Sequence, residues 1–263
     1  MGDSHMRISN SLLWTVMVAA SFSTAQALAD TITVRADAWC PYNCEPGPSP
    51  GYGIELMQEI FKGAGHTVDY KIQPWARALA DTKGGKNTSA IGASETDIKE
   101  YGLKGGSESI GLSSNCVFVK ADNKAKYTKA DDLGQFKKIG IINDYTYSED
   151  IDAWLKNPAN KGKIDSISGD EPVVGNARKL EAGRIDAVIE DAAVMGYSLN
   201  KMDLSAKIVS VGCSTGTKIF VAFSPKAANV DALVKQFDDG IVSLRKSGKL
   251  KEILAKYGAK DWK

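Results

Sequence analysis

After residue 29, this chain of 263 residues contains no apolar run near the roughly 20 residues needed to cross a bilayer. It has two histidines, and only His66 lies beyond that point. There is no H-E-x-x-H pair to hold zinc, no G-x-S-x-G nucleophile turn and no glycine-rich phosphate loop. The common signatures of metalloproteases, serine hydrolases and nucleotidases are therefore missing. Net charge is only +1, which argues against nucleic acid as the main partner, since that binding needs an excess of basic side chains to displace counterions. Low-complexity stretches and heptads are also absent.

The chain does have an export-like start. Residues 6–29 (MRISNSLLWTVMVAASFSTAQALA) open with Arg7, run apolar from Leu12 to Ala20 and end with small residues at Ala27 and Ala29. That is the pattern of a cleaved secretory signal, with the cut expected after Ala29 and a soluble, periplasmic product beginning at Asp30. Residues 1–5 precede a natural-looking start at Met6 and are left out of the fold reading. Removing 29 of the 263 residues leaves 234, enough for one large domain or two lobes of about 100 residues each. Cysteine is scarce: Cys40, Cys44, Cys116 and Cys213. In an exported chain an even count suggests two disulfides, with three pairings open. A four-thiolate zinc site is the rival, but the spacing after Cys44 lacks paired C-x2-C knuckles. No metal or cofactor is expected.

Hydrophobic periodicity predicts two α/β units. TITVRA alternates as a strand, and GYGIELMQEIFKGAG sets Ile54, Met57, Ile60 and Phe61 on one helical face before a glycine stop. TVDYKI is a second strand, PWARALADTK a short helix and SAIGAS a buried strand. The order repeats through KKIGIIN, YSEDIDAWLK, KIDSIS, EPVVGNARKLEAG, IDAVIE and DAAVMGYSLN, the alternation of mostly parallel sheets. Extended segments at 114–122 and 216–224 join the halves, and a helical tail from Asn229 to Tyr257 is broken at Gly248. A tail packed on the first half makes the chain cross twice. The expected units are 1–29 leader and signal peptide, 30–113 and 217–263 for the first lobe, and 114–216 for the second.

Several pieces in order carry a family resemblance: DAWCPYN, GYGIELMQEIF, IGASETDIKEYG, CVFVKAD, IGIINDYT, EAGRIDAVIED and SGKLKEILAKYG. Across residues 31–258 the chain resembles periplasmic solute-binding proteins of the amino-acid-binding type, family 3, the receptors of ABC importers. Its PWARAL segment is similar to a subgroup with poorly defined ligands. The resemblance implies a two-lobe Venus-flytrap fold, a small solute held between the lobes, an ABC-transporter permease as partner, a monomer and no catalysis. Given the two crossovers, the cysteines are expected to pair Cys40 with Cys44 and Cys116 with Cys213.

The resemblance also implies a binding site. Trp39 stands where an aromatic stacks on the ligand, Ser94 where a hydroxyl meets its carboxylate, and Tyr145 and Thr146 at the anion-binding turn of the second lobe. Asp191 matches the holder of an amino group. Lys99 replaces the arginine that usually holds the carboxylate, a point charge in place of a bidentate fork. Trp75 and Arg77 are expected at the cleft mouth, with Arg77 able to supply the missing guanidinium. Each residue also has a plainer reading: Trp75 as a packing plug, Arg77 as a solvated side chain, Lys99 with Glu100 as a surface pair, Asp191 as a helix cap. His66 is read as structural. The expected function is capture of a small polar, amino-acid-like or zwitterionic solute. The alternatives are an enzyme on the same fold, similar to cyclohexadienyl dehydratases and using a carboxylate such as Glu190 or Glu95, and a ligand-binding partner of a membrane sensor.

Overall fold

The computed structural model describes residues 1–3 and 30–263, so the expected signal segment and its cut lie outside the described residues. β1 (Thr31–Ala36) buries Ile32, Val34 and Ala36 on one face, as strand alternation requires. α1 (Tyr52–Gly63) buries Ile54, Met57, Ile60 and Phe61, each contributing about 1.5–3 kcal/mol when removed from water. The helix starts where Gly51 turns the chain at φ 97°; a Cβ there would lie 2.5 Å from the Tyr42 carbonyl oxygen. β2 (Thr67–Ile72), α2 (Trp75–Gly84), β3 (Ser89–Ala93) and α3 (Glu95–Tyr101) follow, then the short β4 (Lys104–Gly105) and β5 (Gly111–Ser113).

The chain next builds a second sheet. Its elements are β6 (Asn115–Lys120), β7 (Ile139–Ile142), α4 (Glu149–Lys156), β8 (Ile164–Ile167), α5 (Pro172–Glu181), β9 (Ala187–Asp191), α6 (Ala192–Lys201) and β10 (Ile208–Cys213). β11 (Thr217–Phe223) then re-enters the first sheet, and α7 (Val230–Ser247) and α8 (Lys249–Ala255) end the chain. The first sheet runs β2-β1-β3-β11-β4, with β5 also beside β11, and the second runs β10-β6-β9-β7-β8. Parallel pairs link β1 to β2 and β3, and β7 to β8 and β9. The crossover strands β6 and β11 arrive from the other lobe and pair antiparallel, so each sheet is mixed.

The tail packs on the first lobe. α7 buries Leu233, Phe237 and Ile241, and Phe61 of α1 lies 6.4 Å from Phe237 and 6.2 Å from Phe223. Gly248 separates α7 from α8 at φ 83°. Both expected disulfides are present, Cys40–Cys44 and Cys116–Cys213. The second joins register partners on β6 and β10, within one sheet. By loop length alone it restricts the unfolded chain by about 4.7 kcal/mol, against about 2 kcal/mol for the short loop.

Candidate functional site

Loops and helix starts that follow the strands meet in a cleft between the lobes, closed down to a cavity of about 40 Å³. From the first lobe come Asp37, directly after β1, Trp39 in the loop beyond it, and Trp75 in the first turn of α2. Ser94 and Asp97 enter from the start of α3. Gly92, at φ 98°, leaves bare backbone under the Trp39 ring, which a Cβ would approach to 3.5 Å. The second lobe contributes Asn115 from β6 and Tyr145 and Thr146 from the turn after β7.

Side chains join the two walls directly. The Tyr145 hydroxyl donates to Asp37 Oδ2 at 2.6 Å. Ser94 Oγ lies 2.7 Å from Thr146 Oγ1, and Thr146 donates to Asp97 Oδ2 at 3.1 Å. Deeper in, Trp39 Nε1 donates to Glu190 Oε1 at 2.9 Å, and the Tyr42 hydroxyl approaches Asp191 at 3.3 Å. These are the contacts of a closed arrangement of the lobes.

Charge in this region has one sign. No Lys, Arg or His is among the described residues that line the cleft. Asp37, Asp97, Glu190 and Asp191 are all buried. Burial disfavours a carboxylate's charged form. It pushes Asp37 up to about 7 against the opposing Tyr145 hydrogen bond, and Glu190 up to about 8 against the Trp39 bond. Asp97 and Asp191 are also raised by burial, opposed mainly by backbone donors. Glu190 Oε1 accepts from Trp39 and from the Asp191 backbone N–H, while its Oε2 is buried without a protein partner.

The structure brings five of the expected site residues to the cleft: Trp39, Trp75, Ser94, Tyr145 and Thr146. It places three outside the cleft lining. Arg77 is exposed and lies 3.5 Å from Asp81, four residues on. Lys99 is exposed on the outer side of α3. Asp191 sits behind the cleft as the cap of α6, accepting from the backbone N–H groups of Ala193, Val194 and Ser114. Three residues not assigned to ligand contact by the sequence are prominent instead: Asp37, Asp97 and Glu190. Asp37 and Glu190 carry the signal that picked out Trp39 and Asp191, a position at a strand's C-terminal end. Asp97 carries a capping signal, three residues after Ser94: it accepts from the Ser94 N–H while Ser94 Oγ accepts from the Asp97 N–H.

Residues 32–260 match the family described as bacterial extracellular solute-binding proteins, family 3. The chain belongs to this family. Among curated relatives, the probable histidine-binding protein of Neisseria gonorrhoeae is 25% identical over 217 residues, covering 82% of this chain and 77% of the relative. An ancestral arginine-binding protein bound to arginine superposes with a TM-score of 0.72 at 20% identity, covering 86% of this chain and 97% of that one. The ancestral amino acid-binding protein AncCDT-1, a precursor of cyclohexadienyl dehydratase, gives a TM-score of 0.68 at 19% identity over 86% and 94%. At these identities the two structures speak to the two-lobe fold alone.

Proposed function

We propose that this family 3 protein is an extracytoplasmic receptor. It captures a small polar solute between its lobes and delivers it to an ABC importer as a monomer, after export and removal of residues 1–29. The observation that carries the reading is the set of side-chain links across the cleft, Tyr145 to Asp37 and Thr146 to Ser94 and Asp97. Links that form only when the lobes meet give a closed state that a ligand stabilises by contacting both walls. Trp39, Trp75, Ser94, Tyr145 and Thr146 are assigned to ligand contact, with Asp37 and Asp97 added. The binding-protein names of the curated relatives favour capture over catalysis.

A thermal-shift screen of amino acids, polyamines, small carboxylates and sugars tests this reading, followed by small-angle scattering with each hit. A receptor gains apparent stability by mass action and becomes more compact with its solute. Solute turnover by the purified protein, or no solute-dependent stabilisation in the whole screen, would reject it.

A further inference from the structure

Resting on the receptor reading above, we infer that the solute is a small organic cation without a carboxylate, an alkyl amine or a guanidine, and not a zwitterionic amino acid. Three observations lead there. The first is the absence of any lining cation among the described residues, with Arg77 and Lys99 both turned to solvent. A ligand carboxylate drawn into this space would lose its water and gain no ionic partner.

The second concerns backbone donors. A helix start next to a cleft can hold an anion through its free N–H groups. Here the capping box at the start of α3 takes two of the nearby donors, the Ser94 N–H on Asp97 Oδ2 and the Asp97 N–H on Ser94 Oγ. It thereby sets a carboxylate beside that helix start. Asp97 Oδ2 takes the Ser94 N–H at 2.8 Å and the Ser94 hydroxyl at 2.8 Å, as well as the Thr146 hydroxyl from the opposite lobe. At the start of α6 the cap Asp191 accepts from the N–H groups of Ala193 and Val194. A second anion at either place would sit against a buried like charge.

The third is what the cleft offers. The rings of Trp39, Trp75 and Tyr145 line it, and the Asp37 and Asp97 carboxylates reach its wall. Aromatic faces beside carboxylates are the surroundings that attract a desolvated ammonium or guanidinium. Behind Trp39, Glu190 adds a further acidic group whose Oε2 has no protein partner. A bound cation would offset the shared cost of these buried carboxylates, which no side chain lining the cleft does.

Isothermal titration calorimetry on the purified protein at pH 8, where Asp37 is ionised, tests the inference with matched pairs: histamine and histidine, agmatine and arginine, putrescine and ornithine. Succinate and glucose serve as anionic and neutral probes. At least one amine is expected to bind at least tenfold more tightly than its amino acid. Asp37→Asn is expected to weaken that binding at least tenfold without lowering the thermal midpoint. Amino acids binding as tightly as their amines, or binding confined to succinate or glucose, would overturn the cation assignment and leave the receptor reading standing. Unchanged amine affinity in Asp37→Asn would overturn it as well. Silence of all eight probes would also overturn it, and the wider screen would then decide separately whether the receptor reading survives.

Discussion

The first lobe supplies the aromatic floor of the cleft and both of its lining carboxylates, whereas the second contributes only Asn115, Tyr145 and Thr146. The first lobe thus presents a nearly complete surface, and the second adds three polar groups that complete the enclosure. This asymmetry separates docking from closure. On the receptor reading proposed above, a solute that rests first on Trp39, Trp75 and Asp37 would give an association rate set by the first lobe. The hydroxyls of the second lobe then act mainly on how long it stays.

The largest expected effect comes from removing the floor. Trp39→Ala should lower stability by about 3–5 kcal/mol, because a buried indole stacked 4.4 Å from Tyr42 is lost. Solute binding should fall at least a hundredfold. Urea denaturation with calorimetry checks both, and Trp39→Phe, which keeps a ring, should recover much of the stability. A loss of binding equal to that from second-lobe variants would erase the distinction between the lobes.

Buried acid gives the next effect. Glu190 has its pKa raised from 4.5 to about 8 and Asp37 from 3.8 to about 7. Tyr145 and Tyr147 bear on both groups, the neighbouring carboxylates of Asp191 and Asp37 push Glu190 further up, and no cation among the described residues acts on either group. Both groups hold protons in the folded state that the unfolded chain has released. Their contribution to stability is therefore fully present below about pH 4 and declines as pH rises toward 8. Glu190→Gln cannot ionise, so the variant should show a shallower decline and a higher thermal midpoint at pH 8. A parallel pH profile for variant and parent would rule out this assignment.

Closure itself is probed more gently by Tyr145→Phe, which removes the hydroxyl held at 2.6 Å by Asp37. A hydrogen bond to a charged group contributes about 1.5–3 kcal/mol, so the dissociation rate should rise roughly tenfold or more while the association rate barely moves. Stopped-flow traces that put the whole change in association would reverse the roles given to the two lobes. The smallest effect is expected at Arg77→Ala and Lys99→Ala, each within about 0.5 kcal/mol of the parent in stability and without change in affinity. A tenfold affinity loss in either variant would return an anion holder to the cleft.

Much of the architecture was legible because buried strands and amphipathic helices write their period into the chain. α1 and α7 show this with their apolar stripes. β10 was not legible: it is a largely exposed edge strand with irregular register, so its apolar residues do not alternate cleanly. α3 escaped as well, being seven residues long, mostly polar and started by its own capping box. In the site, aromatics at strand ends and helix starts were readable, but the charged residues were not. Two positions along a helix differ by about 200° in direction, which puts Lys99 outside where Asp97 is inside, and Arg77 outside where Trp75 is inside. Both helices thus carry an expected residue into the cleft, Trp75 and the cap Ser94, while Arg77 and Lys99 lie on their exposed faces. On β9 the neighbours Glu190 and Asp191 likewise point to opposite sides, so only one caps α6.

β11 lies between β3 and β4 in the first sheet although nearly the whole second lobe separates it from β3 along the chain. During synthesis from the N-terminus, the second lobe is complete while the first still lacks its central partner and the two helices of the tail. Until residue 223 has emerged, β3 keeps an unpaired edge rich in buried residues, the kind of edge that recruits foreign strands. The lobe that supplies most of the cleft's lining is therefore the last to become a folded unit, and truncation between β10 and β11 leaves the second lobe's sheet with all its strands while the first lobe's sheet lacks β11.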